Sequence, residues 1–147
     1  MPMRLGSDFP SLEGATQWFN DEPVLEEGKV TFVHFWAVSC HICHETMAEV
    51  LRIRDEYASK GLQTIAVHMP RMEEDTDVER IRKDIEKYGI TQPCAVDNQI
   101  AIAQAFQNEF TPAFFVFGRD RKLLFRTAGD KGFQKVEPKV REALGLD

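Results

Sequence analysis

The sequence is poor in cysteine, with three in 147 residues. An odd, low count excludes the disulfide-stapled architecture of small secreted domains. Basic charge is also short. Eighteen Lys and Arg stand against 24 Asp and Glu, a formal net charge of −6, whereas nucleic acids and anionic membranes select a basic face. No apolar run approaches the roughly 18 residues of a membrane-crossing helix. Residues 32–38 are interrupted by His34, and residues 113–117 are too few. Residues 1–8 carry one basic side chain and no apolar core of a leader, so no export signal is expected. Internal repeats and low-complexity tracts are missing too. What remains is a globular composition, because 43% hydrophobic and 29% charged residues suit a chain that buries a core. The length fits one domain over residues 1–147. The expected location is the cytoplasm, or outside it if a leader has been removed.

The apolar pattern predicts strands alternating with helices. Residues 30–36 are β-branched and aromatic on both faces and read as a central buried strand. A helix is expected over 40–59, with Cys43, Met47, Val50 and Leu51 on one side and Gly61 beyond its end. Residues 62–68 read as a second buried strand. In the polar loop 69–77, Asp75 or Thr76 is placed to cap a helix whose apolar positions are Val78, Ile81, Ile85 and Tyr88. The charged side of that helix reads as a solvated face. A short strand at 93–96 follows, and Asp97 or Asn98 caps a helix over 99–107. Residues 113–117 and 122–127 form a hairpin around the turn at 118–121. Val136, Val140 and Leu144 mark a final helix with Pro138 in its first turn. Residues 1–28 read as loop, anchored by Trp18 and Phe19. The order implies an α/β fold with a central mixed sheet flanked by helices, closing on an antiparallel hairpin.

Cys40-His41-Ile42-Cys43 sits between the first buried strand and its helix. Positions i and i+3 on one helical turn have Cβ atoms about 5–6 Å apart, within reach of a disulfide. Cys40 falls at the helix N-terminus, where free N–H groups and the macrodipole favour a thiolate. Cys43, one turn in and expected to be the more buried, suits the resolving role. His41 and His44 flank the pair and favour a thiolate when protonated. Three other readings compete with a redox disulfide. Two packing cysteines are the simplest. A zinc site would use Cys40, Cys43 and His44, but a fourth ligand is missing at the usual spacing, with only Cys94 and His68 as strays. The pattern C-x-x-C-H also matches c-type haem attachment, against which stand the strand-rich chain and the missing leader.

These residues resemble the thioredoxin-like superfamily. Residues 35–43, Phe-Trp-Ala-Val-Ser-Cys-His-Ile-Cys, are similar to its active-site segment, and Thr111-Pro112 ahead of an apolar strand is similar to its cis-proline. The helix and strand between His68 and Asp97 resemble the insertion of the TlpA/ResA branch, and Asp8-Phe9-Pro10 fits the same branch. The resemblance implies a thioredoxin-like fold and a thiol–disulfide oxidoreductase without cofactor or metal. It implies Cys40 as attacking thiolate and Cys43 as resolving thiol. His41 and Ile42 would tune the potential, and Trp36, Thr111 and cis Pro112 would shape the substrate surface. Partners would be disulfide or dithiol proteins and an unidentified electron donor or acceptor, with no nucleic acid and no membrane insertion, and the protein would be a monomer. Ser39 stands where thioredoxins commonly have Trp, Thr46 where the branch commonly has an acid, Ala48 where it has a proline, and His34 where thioredoxins have a buried Asp.

His34 has two readings: a hydrogen-bonded core histidine, or a proton acceptor for Cys43. Cys94 reads as buried and inert. His68-Met69-Pro70 ends the second strand at the sheet edge that carries Cys40, where function collects in open α/β folds. A cytosolic protein of this kind is expected to act as a reductant. The alternatives are a thiol peroxidase and a binding module that holds a metal or haem through its cysteines.

Overall fold

The structure, a computed structural model, describes residues 2–146. Its centre is a six-stranded mixed sheet built from β1 (Gln17–Phe19), β2 (Val30–Trp36), β3 (Leu62–His68), β4 (Cys94–Val96), β5 (Ala113–Phe117) and β6 (Leu123–Ala128). The spatial order is β1-β4-β3-β2-β5-β6. Strands β2, β3 and β4 run parallel, while β1, β5 and β6 pair antiparallel to their neighbours. β2 is central and wholly buried, as its apolar residues on both faces require. Its alternation feeds two layers. Val33 and Phe35 join Phe106, Phe115 and Phe117 on one face. Val30 and Phe32 join Val50, Ile53, Tyr57 and Val140 on the other.

Among the described residues five α-helices flank the sheet: α1 (His41–Ala58), α2 (Val78–Tyr88), α3 (Ala101–Ala105), α4 (Gly129–Phe133) and α5 (Val136–Ala143). The α/β architecture with a closing hairpin is as the sequence implies. Helix α1 begins one residue later than expected, because Cys40 is its N-cap. Helix α2 ends at Gly89, whose φ of 74° suits a residue without Cβ.

Three local expectations are corrected. The loop-rich N-terminal region contributes a strand, β1, which zips to β4 through Phe19 opposite Cys94; three residues are too few for alternation to show. The cap of α2 is neither Asp75 nor Thr76 but Asp77, whose carboxylate accepts from Glu79 N at 3.0 Å. Residues Glu73–Thr76 instead form a 3-10 turn. Helix α3 is shorter than 99–107. Buried Asp97 reaches across to accept from Ile102 N (2.9 Å) and Ala103 N (2.8 Å), so the helix starts at Ala101.

Parallel β2, β3 and β4 all end on one sheet edge. There Trp36 pairs with His68 and His68 with Val96, and the antiparallel β5 starts beside Phe35. That edge therefore gathers the β2–α1 loop, the loop after β3, and Thr111-Pro112.

Candidate functional site

β2 delivers its chain through Trp36, Ala37, Val38 and Ser39 into α1. A turn closes this loop, with Cys40 N donating to Ala37 O at 3.0 Å. Cys40 and Cys43 are joined by a disulfide with Cα atoms 5.2 Å apart, inside the range that such bonds span. The Cys40 sulfur itself caps the helix, accepting from Cys43 N at 3.2 Å. No acidic residue occupies the first turn of α1. In the reduced form, a thiolate at this place would meet the positive end of an 18-residue helix.

Cys43 is not the more buried of the two, because both are 1% exposed in the disulfide form. The outward surface of the motif is the dipeptide between them: the His41 side chain is 86% exposed and faces Glu45 at 3.0 Å, and Ile42 is exposed. His44 turns away, to Asp84 Oδ2 at 3.1 Å and to a stacking position on Tyr88. It thereby ties α1 to α2 instead of facing the sulfurs. Thr46 satisfies its hydroxyl on Ile42 O and Cys43 O inside the helix.

Trp36 does not form surface. It is 1% exposed, packed edge-on to His68 with ring centroids 4.8 Å apart, in one apolar cluster with both cysteines and Cys94. It supports the loop from beneath. The Thr111-Pro112 bond is cis, and Pro112 O accepts from Gly129 N at 3.0 Å. Thr111 N–H and C=O find no backbone partner among the described residues, which leaves them free for an added strand. Phe110, just before, is exposed beside a groove also lined by Met69, Pro70, Ile100 and Gln104.

His34 is a satisfied core histidine. Arg54 donates to Gln92 Oε1 at 2.6 Å, which orients the amide so that its nitrogen donates to His34 Nε2 at 2.9 Å. The ring is therefore neutral with its proton on Nδ1. Burial, helped by the nearby Arg54 charge, lowers its pKa to about 3. Its acceptor nitrogen is occupied, so this arrangement gives it no lone pair for a Cys43 proton. Cys94 is fully buried, and burial pushes its thiol up to about 12, with the Trp36 side chain and His68 backbone pulling the other way.

Two further residues hold the loop from beneath: His68, read from the sequence only by its place at the end of the second strand, and Asp75, read there as a helix cap. His68 Nε2 accepts from Val38 N at 3.0 Å, and burial lowers its pKa to about 4 despite the opposing charge of Asp75. Asp75, wholly buried, accepts from Ser39 Oγ at 2.7 Å and from Arg71 N at 2.8 Å through one oxygen. A signal for it exists in Asp75-Thr76-Asp77. Two acids compete for one helix cap, and Asp77 suffices, leaving Asp75 for other work. Among the described residues no group of three His, Cys, Asp or Glu side chains is arranged to hold a metal ion.

A comparison with protein families matches Redoxin over residues 8–144. Among curated proteins, the chain is 39% identical over 145 residues to thiol-disulfide oxidoreductase YkuV of Bacillus subtilis (strain 168), with 97% of each chain covered. It is 24% identical over 140 residues to thiol-disulfide oxidoreductase ResA of Bacillus thuringiensis (strain Al Hakam), covering 92% of this chain and 76% of that one. Among solved structures, the solution structure of a thioredoxin-like protein in the oxidised form matches with a TM-score of 0.89 at 39% identity, over 97% of this chain and 98% of that one. With its mixed sheet, its buried cysteine pair at a helix start and these relatives, the chain belongs to the Redoxin family as a thioredoxin-like protein of the TlpA/ResA type.

Proposed function

We propose that the chain is a thiol–disulfide oxidoreductase that reduces disulfides in protein substrates through Cys40 and Cys43. The observation that carries this reading is the disulfide at the N-terminus of α1, on the same sheet edge as the free backbone groups of Thr111. Thiol–disulfide exchange is also the activity named for the two relatives above.

The chemistry balances within the pair. In the dithiol form, the Cys40 thiolate attacks one sulfur of a substrate disulfide. That S–S bond breaks, a Cys40–substrate bond forms, and the other substrate sulfur leaves as a thiolate that takes up a proton. Cys43 loses its proton and attacks Cys40 Sγ, closing the disulfide seen here and releasing the second substrate sulfur. Two electrons pass from protein to substrate, and a separate dithiol donor restores the pair. The backbone of Thr111 aligns the substrate as an added strand, at the cis bond to Pro112. Exposed His41 and Ile42 meet the substrate and tune the couple. Trp36 acts from below, by holding the loop. A cytoplasmic place of work belongs to the same proposal, since a reductant requires a supply of electrons.

The test is reduction of a disulfide-bonded protein such as insulin, with dithiothreitol as donor. Cys40→Ser is expected to abolish catalysis, and Cys43→Ala to stop at a covalent complex whose mass is the sum of protein and substrate. Undiminished turnover by Cys40→Ser, or consumption of peroxide in place of disulfide, would overturn the proposal.

A further inference from the structure

The insertion between β3 and α2 places one buried acid next to the redox loop, and the exchange mechanism above makes no use of it. Asp75 has no exposed surface. Its Oδ2 accepts from the Ser39 hydroxyl at 2.7 Å and from Arg71 N at 2.8 Å. Its Oδ1 is buried without a hydrogen-bond partner. A buried carboxylate with one bare oxygen is costly, so its place calls for an explanation other than stability.

What it touches is informative. Ser39 is the residue before Cys40, and consecutive Cα atoms lie about 3.8 Å apart, so the carboxylate holds the residue adjoining the attacking cysteine. The loop is gripped at successive residues: His68 Nε2 takes the Val38 N–H, and Asp75 takes the Ser39 hydroxyl. The Asp75 charge also acts on the His68 imidazole, opposing the lowering by burial. Among the described residues no ion pair is formed with Asp75. Arg71 meets Asp75 through its backbone N–H, and Arg80 turns to the carbonyl of Glu74.

We propose that Asp75 is a positioning residue that holds the Ser39–Cys40 junction and keeps a negative charge beside the Cys40 thiolate, biasing the cysteine couple toward the disulfide and making it a stronger reductant. The physical reason lies in which form carries charge. Only the reduced pair places a thiolate at Cys40, and a neighbouring carboxylate penalises that form in a low-dielectric site. The N-terminus of α1 pulls the opposite way. The potential is then a balance between a helix that favours the thiolate and an acid that resists it. This inference rests on the exchange reading above and deepens it, because it supplies a reason for the reducing direction.

The experiment is a titration of the purified protein against mixtures of reduced and oxidised glutathione, with the thiol state read by alkylation and mass. Two glutathiones lose two electrons for each Cys40–Cys43 disulfide reduced. Asp75→Asn, which preserves the acceptor for Ser39 while deleting the charge, is expected to favour the dithiol about tenfold, equivalent to about 30 mV toward a more oxidising couple. The Cys40 thiolate, followed by its absorbance near 240 nm, should then form at lower pH. Ser39→Ala leaves the charge and removes a donor that partly offsets it. This variant is expected to shift the constant the other way, by roughly twofold to threefold. A folded Asp75→Asn with an unchanged constant overturns the role of Asp75 and leaves the exchange reading intact, since wild-type exchange is read in the same titration. Should Asp75→Asn not fold, a Ser39→Ala couple that is unchanged or more oxidising overturns the proposal by itself.

Discussion

Lowering the pH from 7 to 5 should cost this protein about 4 kcal/mol of stability, through two histidines that the fold keeps neutral. Burial holds His34 at about 3 and His68 at about 4, against an ordinary 6.5. Both shifts are depressions. The stability they contribute is present above the unfolded value near 6.5, and it is lost as pH falls toward the folded values, because the unfolded chain takes up protons that the folded chain refuses. At pH 5 each unfolded imidazole is almost wholly charged and each folded one almost wholly neutral. At about 1.36 kcal/mol per unit, the interval of about 1.5 units below 6.5 is worth about 2 kcal/mol per histidine. Carboxylates barely enter this window. Arg52 and Tyr57 hold Glu137 below its ordinary value, as Arg54 does Asp55, so their contributions are lost only at more acid pH. Burial raises Asp97, and its protonation favours the fold, a gain complete only below the ordinary carboxylate value. Against a typical total of about 5–15 kcal/mol, the histidine loss is large. The assay is urea unfolding of the disulfide form at pH 7 and pH 5, followed by tryptophan fluorescence. His34→Gln removes one titrating group and is expected to halve the difference between the two pH values, even if it lowers stability at both. A wild-type difference under about 1 kcal/mol, or an equal difference in His34→Gln, would refute the reasoning.

Other expectations follow from single contacts. In the reduced native protein, iodoacetamide should label Cys40, whose thiolate the N-terminus of α1 favours, and spare Cys94 until the chain is unfolded, since that thiol is fully buried and pushed up to about 12; mass spectrometry of the labelled peptides reads this directly. Glu137→Gln weakens the tie between α1 and α5, where the carboxylate accepts from Arg52 and from Tyr57 OH at 2.6 Å. A loss of about 1–2 kcal/mol in urea unfolding is expected, with insulin reduction unchanged. Gly14 has a φ of +99°, and a Cβ there would stand 2.5 Å from Ala101 Cβ. Gly14→Ala should therefore lower stability by about 2 kcal/mol while leaving the glutathione equilibrium of the cysteine pair where it was.

The parts of the fold that were legible are those where one periodicity runs long enough to repeat. β2 has seven residues, all buried, and α2 repeats its apolar positions from Val78 to Tyr88, so local pattern and tertiary burial agree. β1 was not legible, because its reason to be a strand lies in β4, almost eighty residues away, where Gln17 meets Val96. The start of α3 was misplaced for the same reason: the Asp97 carboxylate skips the nearest amides to reach Ile102 and Ala103. Register and reach of this kind are set by packing.

The site divides along the same line, and the division bears on what tunes it. Cys40 and Cys43 are legible because spacing on one helical turn is local, and Thr111-Pro112 because a proline before a buried strand is local. Trp36 was legible as a neighbour of the motif but not in its orientation. A Trp after a strand can face outward or inward, and here His68 and Cys94 complete an inward pocket for it. Nothing local to residues 35–43 names the groups that hold Val38 and Ser39, since His68 and Asp75 arrive from β3 and from the turn after it. The motif thus specifies the reaction, whereas its environment is supplied by the end of β3 and the insertion that follows it. Two chains with the same Cys-His-Ile-Cys segment would differ in potential if one carried an acid in this turn and the other did not. The segment between His68 and Asp77 is therefore where the redox character of relatives with this fold should be sought first, ahead of the dipeptide between the cysteines, whose His41 side chain points to solvent and Glu45.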